Sequence, residues 1–266
     1  ALLTGNLGKP GAGLYALRHG TNEQGAIDVG CAPDFLPGYQ PLATEPGKSV
    51  KEAFQAARDG KVKAMVIMGD SPTYSNGEID NAHEALRCLE FLVVHDTFLS
   101  PIAKLAHVVL PAATVVDDDG TYTNIERRVQ LLNRILVPEN GNSESESGWR
   151  CVSRIARQMG AEGFDFESAS EVFDEVARST PIYHGISHER LRRESKLIMR
   201  PNSTDPQPTQ MMYTDRIAKG IQWPCESVDN PGIVDLYETD MSGRRFRLVA
   251  FDMVPKAEVL SPDFPL

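Results

Sequence analysis

Cysteine is scarce and scattered in this chain of 266 residues. The four cysteines are Cys31, Cys88, Cys151 and Cys225. No two of them have the close spacing of a zinc knuckle or an iron–sulfur loop. Nor do so few thiols form the dense disulfide framework of a small secreted domain. The sequence therefore excludes a local cysteine-bound metal motif and predicts four reduced thiols.

Long apolar runs and an excess of basic residues are also lacking. No uncharged stretch is long enough to form a transmembrane helix. Lys and Arg number 27 against 37 Asp and Glu, which gives a net charge of −10, so we expect no general affinity for nucleic acid. The sequence predicts a globular protein without a membrane-spanning segment. It leaves the cellular location open and favours the cytoplasm.

Strand and helix patterns alternate in residues 48–136. Apolar runs at residues 62–68, 91–94 and 107–110 predict strands, with helical patterns before and between them. Ser49 is expected to cap the first of these helices, and Gly60 to end it. Alternation of this kind predicts an α/β fold, with an open, mostly parallel, Rossmann-like sheet flanked by helices.

The residues after 140 predict a mainly helical and irregular connecting region. Helical periodicity predicts an amphipathic helix with Trp149, Val152, Ile155 and Met159 on one stripe. Two further helices are expected over residues 170–179 and 188–193. Residues 199–212 are rich in Pro, Ser, Thr and Gln, which predicts a loop. Two short strands are expected near residues 236–237 and 246–251.

Polar residues follow the carboxyl ends of the predicted parallel strands, where open α/β sheets bind ligands. Gly69, Ser71 and Ser75 follow the first strand, and His95 and Asp96 follow the second. Helix N-termini in such places offer N–H groups to phosphate, and Asp96 can accept a hydrogen bond from a base or a ribose. Helix capping explains Ser71 and Ser75 equally well. These five residues are the candidate cofactor-binding residues.

Two other clusters are interpreted as structural. The run Asp117-Asp118-Asp119 predicts a solvated turn rather than a metal site, because charge runs usually face water. His184 and His188 have i, i+4 spacing without an acidic third ligand, so they are predicted to lie at the surface. No metal ligand is predicted in this chain.

Several stretches taken together resemble the molybdopterin oxidoreductase family, and most closely the catalytic (alpha) subunits of formate dehydrogenases. They occur in family order, with near-family spacing, over almost the whole chain. The matching stretches are LLTGNLGKPGAGLYALR (residues 2–18), NEQGAIDVGCAPDFLPGYQ (22–40), VKAMVIMGDSP (62–72), VVHDTFLSPIAKLAHVVLPAATVVDDDGTYTNIERRVQ (93–130), GWRCVSRIARQMG (148–160) and IQWPC (221–225).

The resemblance implies a bis-molybdopterin guanine dinucleotide carrying Mo or W, and a 4Fe-4S cluster bound by parts of the protein absent from this chain. It implies oxidation of formate to CO2, with two electrons passing through the metal to the cluster and on to electron-transfer subunits, as in anaerobic respiration. Arg18 falls on the arginine that family members place beside the metal, where it would hold the formate carboxylate. Ser71, Ser75 and Asp96 fall where the family contacts one guanine dinucleotide. The chain alone is expected to be inactive.

The resemblance also implies a division of the chain. Residues 1–20 would end an upstream α/β domain, and residues 21–140 would form a dinucleotide-binding α/β domain. Residues 141–231 would form the helical connecting region, and residues 232–266 a short β segment leading to a C-terminal barrel outside the chain.

Three positions depart from the family pattern. Gly20 lies where the family often has Gln, Asp118 where a Lys, Glu or His is common, and Gly148 where an Asp is common. The alternative interpretation is the large iron–sulfur subunit of an NADH-quinone oxidoreductase, which keeps the fold as an electron-relay scaffold. A third is an unrelated nucleotide-binding module. The sequence does not specify the metal, its Cys or selenocysteine ligand, the electron acceptor or the oligomeric state.

Overall fold

The computed structural model describes residues 3–7, 14, 16–18, 20–69, 82–136, 145–194, 199–200, 209–210 and 220–233. The chain divides into two compact units, residues 1–14 with 235–266 and residues 15–234. In the first unit, the described residues 3–7 include a turn with Gly5 at φ 63°. The strands expected after residue 235 lie outside the described residues.

The second unit contains both helices and strands, which are interspersed along the chain. The strands are β1 (Phe35–Leu36), β2 (Gln40–Pro41), β3 (Ala64–Met68), β4 (Phe91–Asp96), β5 (Val108–Pro111), β6 (Gly120–Thr123), β7 (Arg128–Leu132), β8 (Met199–Arg200), β9 (Thr209–Gln210) and β10 (Ile221–Gln222). The α-helices are α1 (Glu23–Asp28), α2 (Val50–Arg58), α3 (Ala82–Arg87), α4 (Gly148–Gln158), α5 (Ala169–Ser179) and α6 (His188–Glu194). Single 3-10 turns cover Pro37–Tyr39, Ala103–Leu105 and Pro181–Tyr183.

The α/β class predicted from the sequence is confirmed by a parallel sheet of three strands in the order β3–β4–β5. These strands coincide with the three predicted apolar runs to within a few residues. Met68 lies opposite His95, and Asp96 lies opposite Pro111, so the carboxyl ends of the strands meet at one edge. The Rossmann-like character of the sheet stays a prediction.

Helices α2 and α3 cover one face of this sheet. At the predicted cap, Ser49 Oγ accepts a hydrogen bond from the Glu52 N–H, and Glu52 Oε2 accepts one from the Ser49 N–H at 2.8 Å. The opposite face is largely open at Val66 and Phe91, which are 56% and 47% exposed. The buried members of what we call the first core are Phe54, Ala57, Ala82, Ala85, Leu86, Leu89, Leu92, Val94, Ile102 and Ala103.

A second group of elements surrounds an antiparallel sheet in the order β10–β7–β6, which the sequence pattern did not predict. Helices α5 and α6, which were predicted, pack near it. The buried members of what we call the second core are Val129, Phe173, Ala177, Tyr183, Ile186, Leu191, Ile221, Trp223 and Cys225.

Three expectations differ from the structure. His188 is buried against Phe173, with ring centroids 5.3 Å apart, so the prediction of a surface residue is wrong for His188. It is right for His184, which is exposed. Burial lowers the pKa of His188, since desolvation disfavours the charged ring. Within the predicted loop 199–212, β8 and β9 form a short antiparallel pair. The apolar stripe predicted for α4 is largely exposed, with Met159 at 82%.

Within the described ranges, no helix combines the length and the apolar character that a membrane span requires.

Candidate functional site

A cavity of about 1000 Å³ lies at the carboxyl edge of β4 and β5. His95, Leu110 and Pro111 line it from the strand ends, and α4 with the segment before it lines it from the other side. In open α/β sheets, ligands bind outside the carboxyl ends of the strands. The position and volume of this cavity make it the first part of the candidate site.

Positive charge is concentrated around this cavity. Four arginines line it against two carboxylates, Asp117 and Glu146, which gives the lining a formal charge of +2 when His95 is neutral. The chain as a whole carries −10. The cavity therefore favours an anionic ligand. The four arginines are Arg134, Arg150, Arg154 and Arg157.

The sequence carried a signal for this arginine cluster that was missed. Arg150, Arg154 and Arg157 stand at i, i+4 and i+7 along α4, which places them on neighbouring turns of one helical face. A helix with a basic stripe beside the carboxyl edge of a parallel sheet predicts an anion site.

The α4 arginines are held by weak, partly exposed contacts. Arg154 Nη1 lies 3.1 Å from Glu146 Oε2, and the Arg154 side chain is 67% exposed. Arg150 stacks over the Trp149 ring at 4.7 Å from its centroid. Exposed ion pairs contribute only about 0–1 kcal/mol. These guanidinium groups can therefore exchange their present partners for a phosphate at little cost.

His95 joins the sheet edge to the segment before α4. Its Nε2 lies 3.0 Å from the carbonyl oxygen of Glu146, and a carbonyl can only accept, so Nε2 carries the hydrogen and Nδ1 is left as an acceptor. The Gly69 N–H donates to the His95 carbonyl at 3.0 Å, so the backbone donor of Gly69 is already used within the sheet. Gly148 lies nearby: a Cβ at this position would lie 4.0 Å from His95 Cε1, in ordinary contact.

Asp96 ends β4 beside His95 and is partly buried. Its Oδ1 accepts a hydrogen bond from the Phe98 N–H at 3.2 Å, which shapes the turn after the strand. Gly69, His95 and Asp96 thus lie at one edge of the sheet, whereas Ser71 and Ser75 lie outside the described residues. Contact of any of the five with a cofactor stays a prediction.

The acidic run is structural: Asp119 is exposed, as predicted, whereas Asp117 and Asp118 are partly buried. Asp118 is one of the three positions that depart from the family pattern. Its Oδ1 accepts a hydrogen bond from the hydroxyl of buried Ser147 at 2.5 Å, so the carboxylate has a partner within the chain. Asp119 Oδ1 accepts from the Arg134 N–H at 2.7 Å. Among the described residues, no group of three or more His, Cys, Asp or Glu side chains could hold a metal ion.

Arg18 forms the second part of the candidate site, and it lies in the same unit just before α1. Its side chain is 27% exposed, and Nη1 lies 3.9 Å from Glu23 Oε1. Its Nε is buried and has no hydrogen-bond partner in the part of the chain that the structure describes. A buried donor without a partner is costly, so it indicates a place for an acceptor.

A buried hydrogen-bond network anchors α1 next to Arg18. Asp28, which is fully buried, accepts from the Tyr39 hydroxyl at 2.5 Å, from Gln24 Nε2 at 2.8 Å and from the Tyr183 hydroxyl at 2.8 Å. Because Tyr183 donates its single hydrogen to Asp28, Thr123 donates to the Tyr183 oxygen, also at 2.8 Å. Burial raises the pKa of Asp28, and burial together with the nearby carboxyl raises the pKa of both tyrosines. The network missed by the sequence analysis therefore fixes the helix that follows Arg18.

Comparison with known proteins assigns this arrangement to a class. A family model described as molybdopterin oxidoreductase matches residues 1–158. The match ends at the last residue of α4 and so includes the parallel sheet, Arg18 and all four cavity arginines. The chain belongs to the molybdopterin oxidoreductase family.

Its relatives among curated proteins include formate dehydrogenase subunits. The chain is 37% identical to "F420-dependent formate dehydrogenase 2 subunit alpha" of Methanococcus maripaludis, over 90% of this chain and 33% of the relative. It is 32% identical to "F420-dependent formate dehydrogenase 1 subunit alpha" of the same organism, over 100% of this chain and 38% of the relative. It is 34% identical to "Probable oxidoreductase YjgC" of Bacillus subtilis, over 92% of this chain and 26% of the relative. The chain thus spans between 26% and 38% of the length of these relatives. None of these names favours the electron-relay alternative.

Proposed function

We propose that these residues belong to the catalytic subunit of a molybdopterin-dependent oxidoreductase that oxidises formate to CO2. The relatives named as formate dehydrogenase alpha subunits support the choice of substrate. The wider proposal includes a bis-molybdopterin guanine dinucleotide with Mo or W, a 4Fe-4S cluster bound outside these residues, and electron-transfer subunits as partners. When bound, the molybdopterin metal would supply the acceptor for the two electrons released from formate.

Arg18 is the observation that carries the proposal. Its guanidinium has a buried Nε with no partner among the described residues, and the guanidinium plane presents a fork that matches a carboxylate. A carboxylate such as formate would satisfy this donor. A fixed cation also orients the substrate before reaction and offsets its charge as electrons leave, two effects that act without any covalent step.

The cavity at the sheet edge fits the anionic part of the cofactor. Its four arginines would meet the diphosphate of a guanine dinucleotide, and its volume of about 1000 Å³ is at the upper end of ordinary ligand pockets. His95 would present Nδ1 as an acceptor, and Asp96 would accept from the base or the ribose. Burial raises the pKa of Cys151, which also lines the cavity, so this side chain stays a neutral thiol beside the ligand.

One strand links the two parts of the site. Asp117, three residues before β6, lines the cavity, and Thr123 at the end of β6 contacts α1. A four-residue strand spans about 13 Å at about 3.3 Å per residue. We propose that an elongated ligand lies with its phosphates at the cavity and its reactive end towards Arg18.

The test uses the intact polypeptide that contains these residues, purified and assayed for metal, pterin and formate-dependent reduction of an artificial acceptor. We expect bound Mo or W and formate turnover. Arg18→Ala should lower kcat/KM about a hundredfold while the metal is retained, because a positioned charge is lost. Arg18→Lys should recover little, since lysine keeps the charge without the fork.

The matched control is Arg58→Ala on α2, which removes an arginine far along the chain from the proposed site and should leave kcat/KM unchanged. Intact polypeptide without metal and pterin would contradict the proposal. So would unaltered turnover in Arg18→Ala.

A further inference from the structure

The carboxylate of Glu23 contacts two parts of the segment that contains Arg18. Glu23 Oε1 lies 3.9 Å from Arg18 Nη1, and Glu23 Oε2 accepts from the Gly20 N–H at 3.4 Å. Both side chains of the ion pair are partly buried, at 27% and 36% exposure. One side chain therefore lies close both to the guanidinium and to the backbone that follows it.

The helix that carries Glu23 is fixed at both ends. At its start, Asn22 Oδ1 accepts from the Thr123 N–H of β6 at 2.8 Å. At its end, Asp28 is held by Tyr39 and Tyr183 through the buried network. Because buried and satisfied polar networks are rigid, Glu23 extends from a fixed backbone position.

Glu23 contacts the guanidinium at Nη1, an atom that a side-on substrate carboxylate would not use. A carboxylate that binds side-on to an arginine uses Nε and the Nη on the same edge, and Nη1 lies off that edge. The guanidinium thus has a protein carboxylate near Nη1, and at Nε a buried donor without a partner among the described residues.

We propose that Glu23 is a positioning residue for Arg18, which turns the Nε edge of the guanidinium towards the carboxylate of the substrate. The inference rests on the proposed function, because Arg18 has this substrate only there. It goes beyond that function in assigning a role to Glu23.

Two effects of removing the Glu23 charge can be separated by kinetics. Without its partner, the guanidinium rotates more freely, so fewer bound substrate molecules are aligned for reaction and kcat falls. The negative charge near the site is also lost, so attraction of the formate anion does not weaken and KM does not rise. A purely structural role for Glu23 predicts instead a loss of folded, metal-loaded protein with normal turnover per metal.

The experiment compares Glu23→Gln with wild type in the intact holoenzyme, with kcat expressed per bound metal. We expect kcat to fall about threefold while KM for formate stays equal or falls. Glu23→Asp should behave similarly, because its shorter side chain does not reach Nη1. The matched control is Glu162→Gln, which removes an exposed glutamate after α4 and should leave both constants unchanged.

A second readout needs no turnover. Phenylglyoxal modifies arginine, and its rate at Arg18 can be followed by peptide mass spectrometry in the same intact proteins. We expect the rate to rise several-fold in Glu23→Gln, because the guanidinium loses its partner, and to stay unchanged in Glu162→Gln.

Wild-type kcat and KM in Glu23→Gln would overturn the inference, whatever the labelling shows. An unchanged labelling rate at Arg18 would overturn it too. Failure of the proposed function looks different: a metal-loaded wild-type protein would oxidise no formate, while the labelling would still report whether Glu23 holds Arg18.

Discussion

The first and the second core bury different kinds of groups. The first core is apolar, and its members lie between Phe54 and Ala103, close together along the chain. The second core joins residues from Val129 to Cys225, and buried polar groups such as Asp28 and Arg190 lie around it. The first core is thus stabilised by non-directional burial of apolar surface, whereas the second depends in addition on hydrogen bonds with defined partners.

Arg190 illustrates the difference. Its side chain is buried, with Nη1 donating to the Gly185 carbonyl at 2.6 Å and Nη2 to the Asn230 carbonyl at 2.6 Å. A buried cation is tolerated only when its donors are satisfied. Asn230 lies 40 residues from Arg190 along the chain, so no local pattern identifies it as a partner.

The largest effect on stability is expected from Leu92→Ala in the first core. Leu92 is fully buried near the start of β4, and truncating it leaves a cavity between the sheet and the helices that cover it. The expected loss in free energy of unfolding is about 2–5 kcal/mol. Urea unfolding followed by circular dichroism measures it.

Val66→Ala is the matched control on the neighbouring strand of the same sheet. Val66 is 56% exposed on the opposite face, so its truncation is expected to cost about 0.5 kcal/mol or less. Equal losses for Leu92→Ala and Val66→Ala would show that the two faces are covered alike and would contradict the assignment of the first core to one face.

The parts of the fold that were predicted from sequence are those whose signal is local. Strands β3, β4 and β5 are apolar runs, and α2 has a cap, an apolar stripe and a stop within twelve residues or so of sequence. Strand β10 was missed because it has two residues and pairs with β7 across a long sequence separation, with Ile221 opposite Val129. Strands β6 and β7 pair locally, with Thr123 opposite Val129, but their polar residues interrupt the apolar run that marks β3, β4 and β5. His188 was misjudged for the same reason as β10, because its burial depends on Phe173 in another helix.

The candidate site divides in a similar way. The edge position of His95 and Asp96 followed from the strand pattern alone, whereas Arg18 was assigned a role only through the family resemblance. Glu23 carries no motif, and its contact with Arg18 depends on how α1 is anchored by Asp28. Sequence patterns locate an edge of a sheet. They do not locate side chains such as Glu23, which contact a functional residue rather than the substrate.

A smaller and pH-dependent effect is expected from Asp28→Asn beside the second core. Burial raises the pKa of Asp28 above its usual value of 3.8, so the folded state binds this proton more tightly than the unfolded state does. Stability from this group is therefore present at low pH and falls as the pH rises from 3.8 through the raised pKa, by about 1.4 kcal/mol per unit of displacement. Asn cannot titrate, so the variant lacks this fall.

Urea unfolding of both proteins at a series of pH values measures the difference. The free energy of unfolding of wild type minus that of Asp28→Asn should decrease as the pH rises above 3.8 and then level off. Parallel curves would mean that Asp28 titrates alike in the folded and unfolded states, and that its burial does not affect its charge.

The smallest effect is expected at the helix caps, where the two regions can be compared with the same substitution. Ser49→Ala on α2 removes an oxygen that makes two bonds, because Ser49 Oγ accepts from the Glu52 N–H and donates to Glu52 Oε2 at 2.7 Å, and the expected loss is about 1 kcal/mol. Ser168→Ala on α5 removes only the single bond to the Glu171 N–H at 3.3 Å. In thermal or urea unfolding, the loss of unfolding free energy for Ser168→Ala should be smaller than that for Ser49→Ala by a few tenths of a kcal/mol. A larger loss at Ser168 would mean that the region around the second core depends more on local capping than on its buried hydrogen bonds.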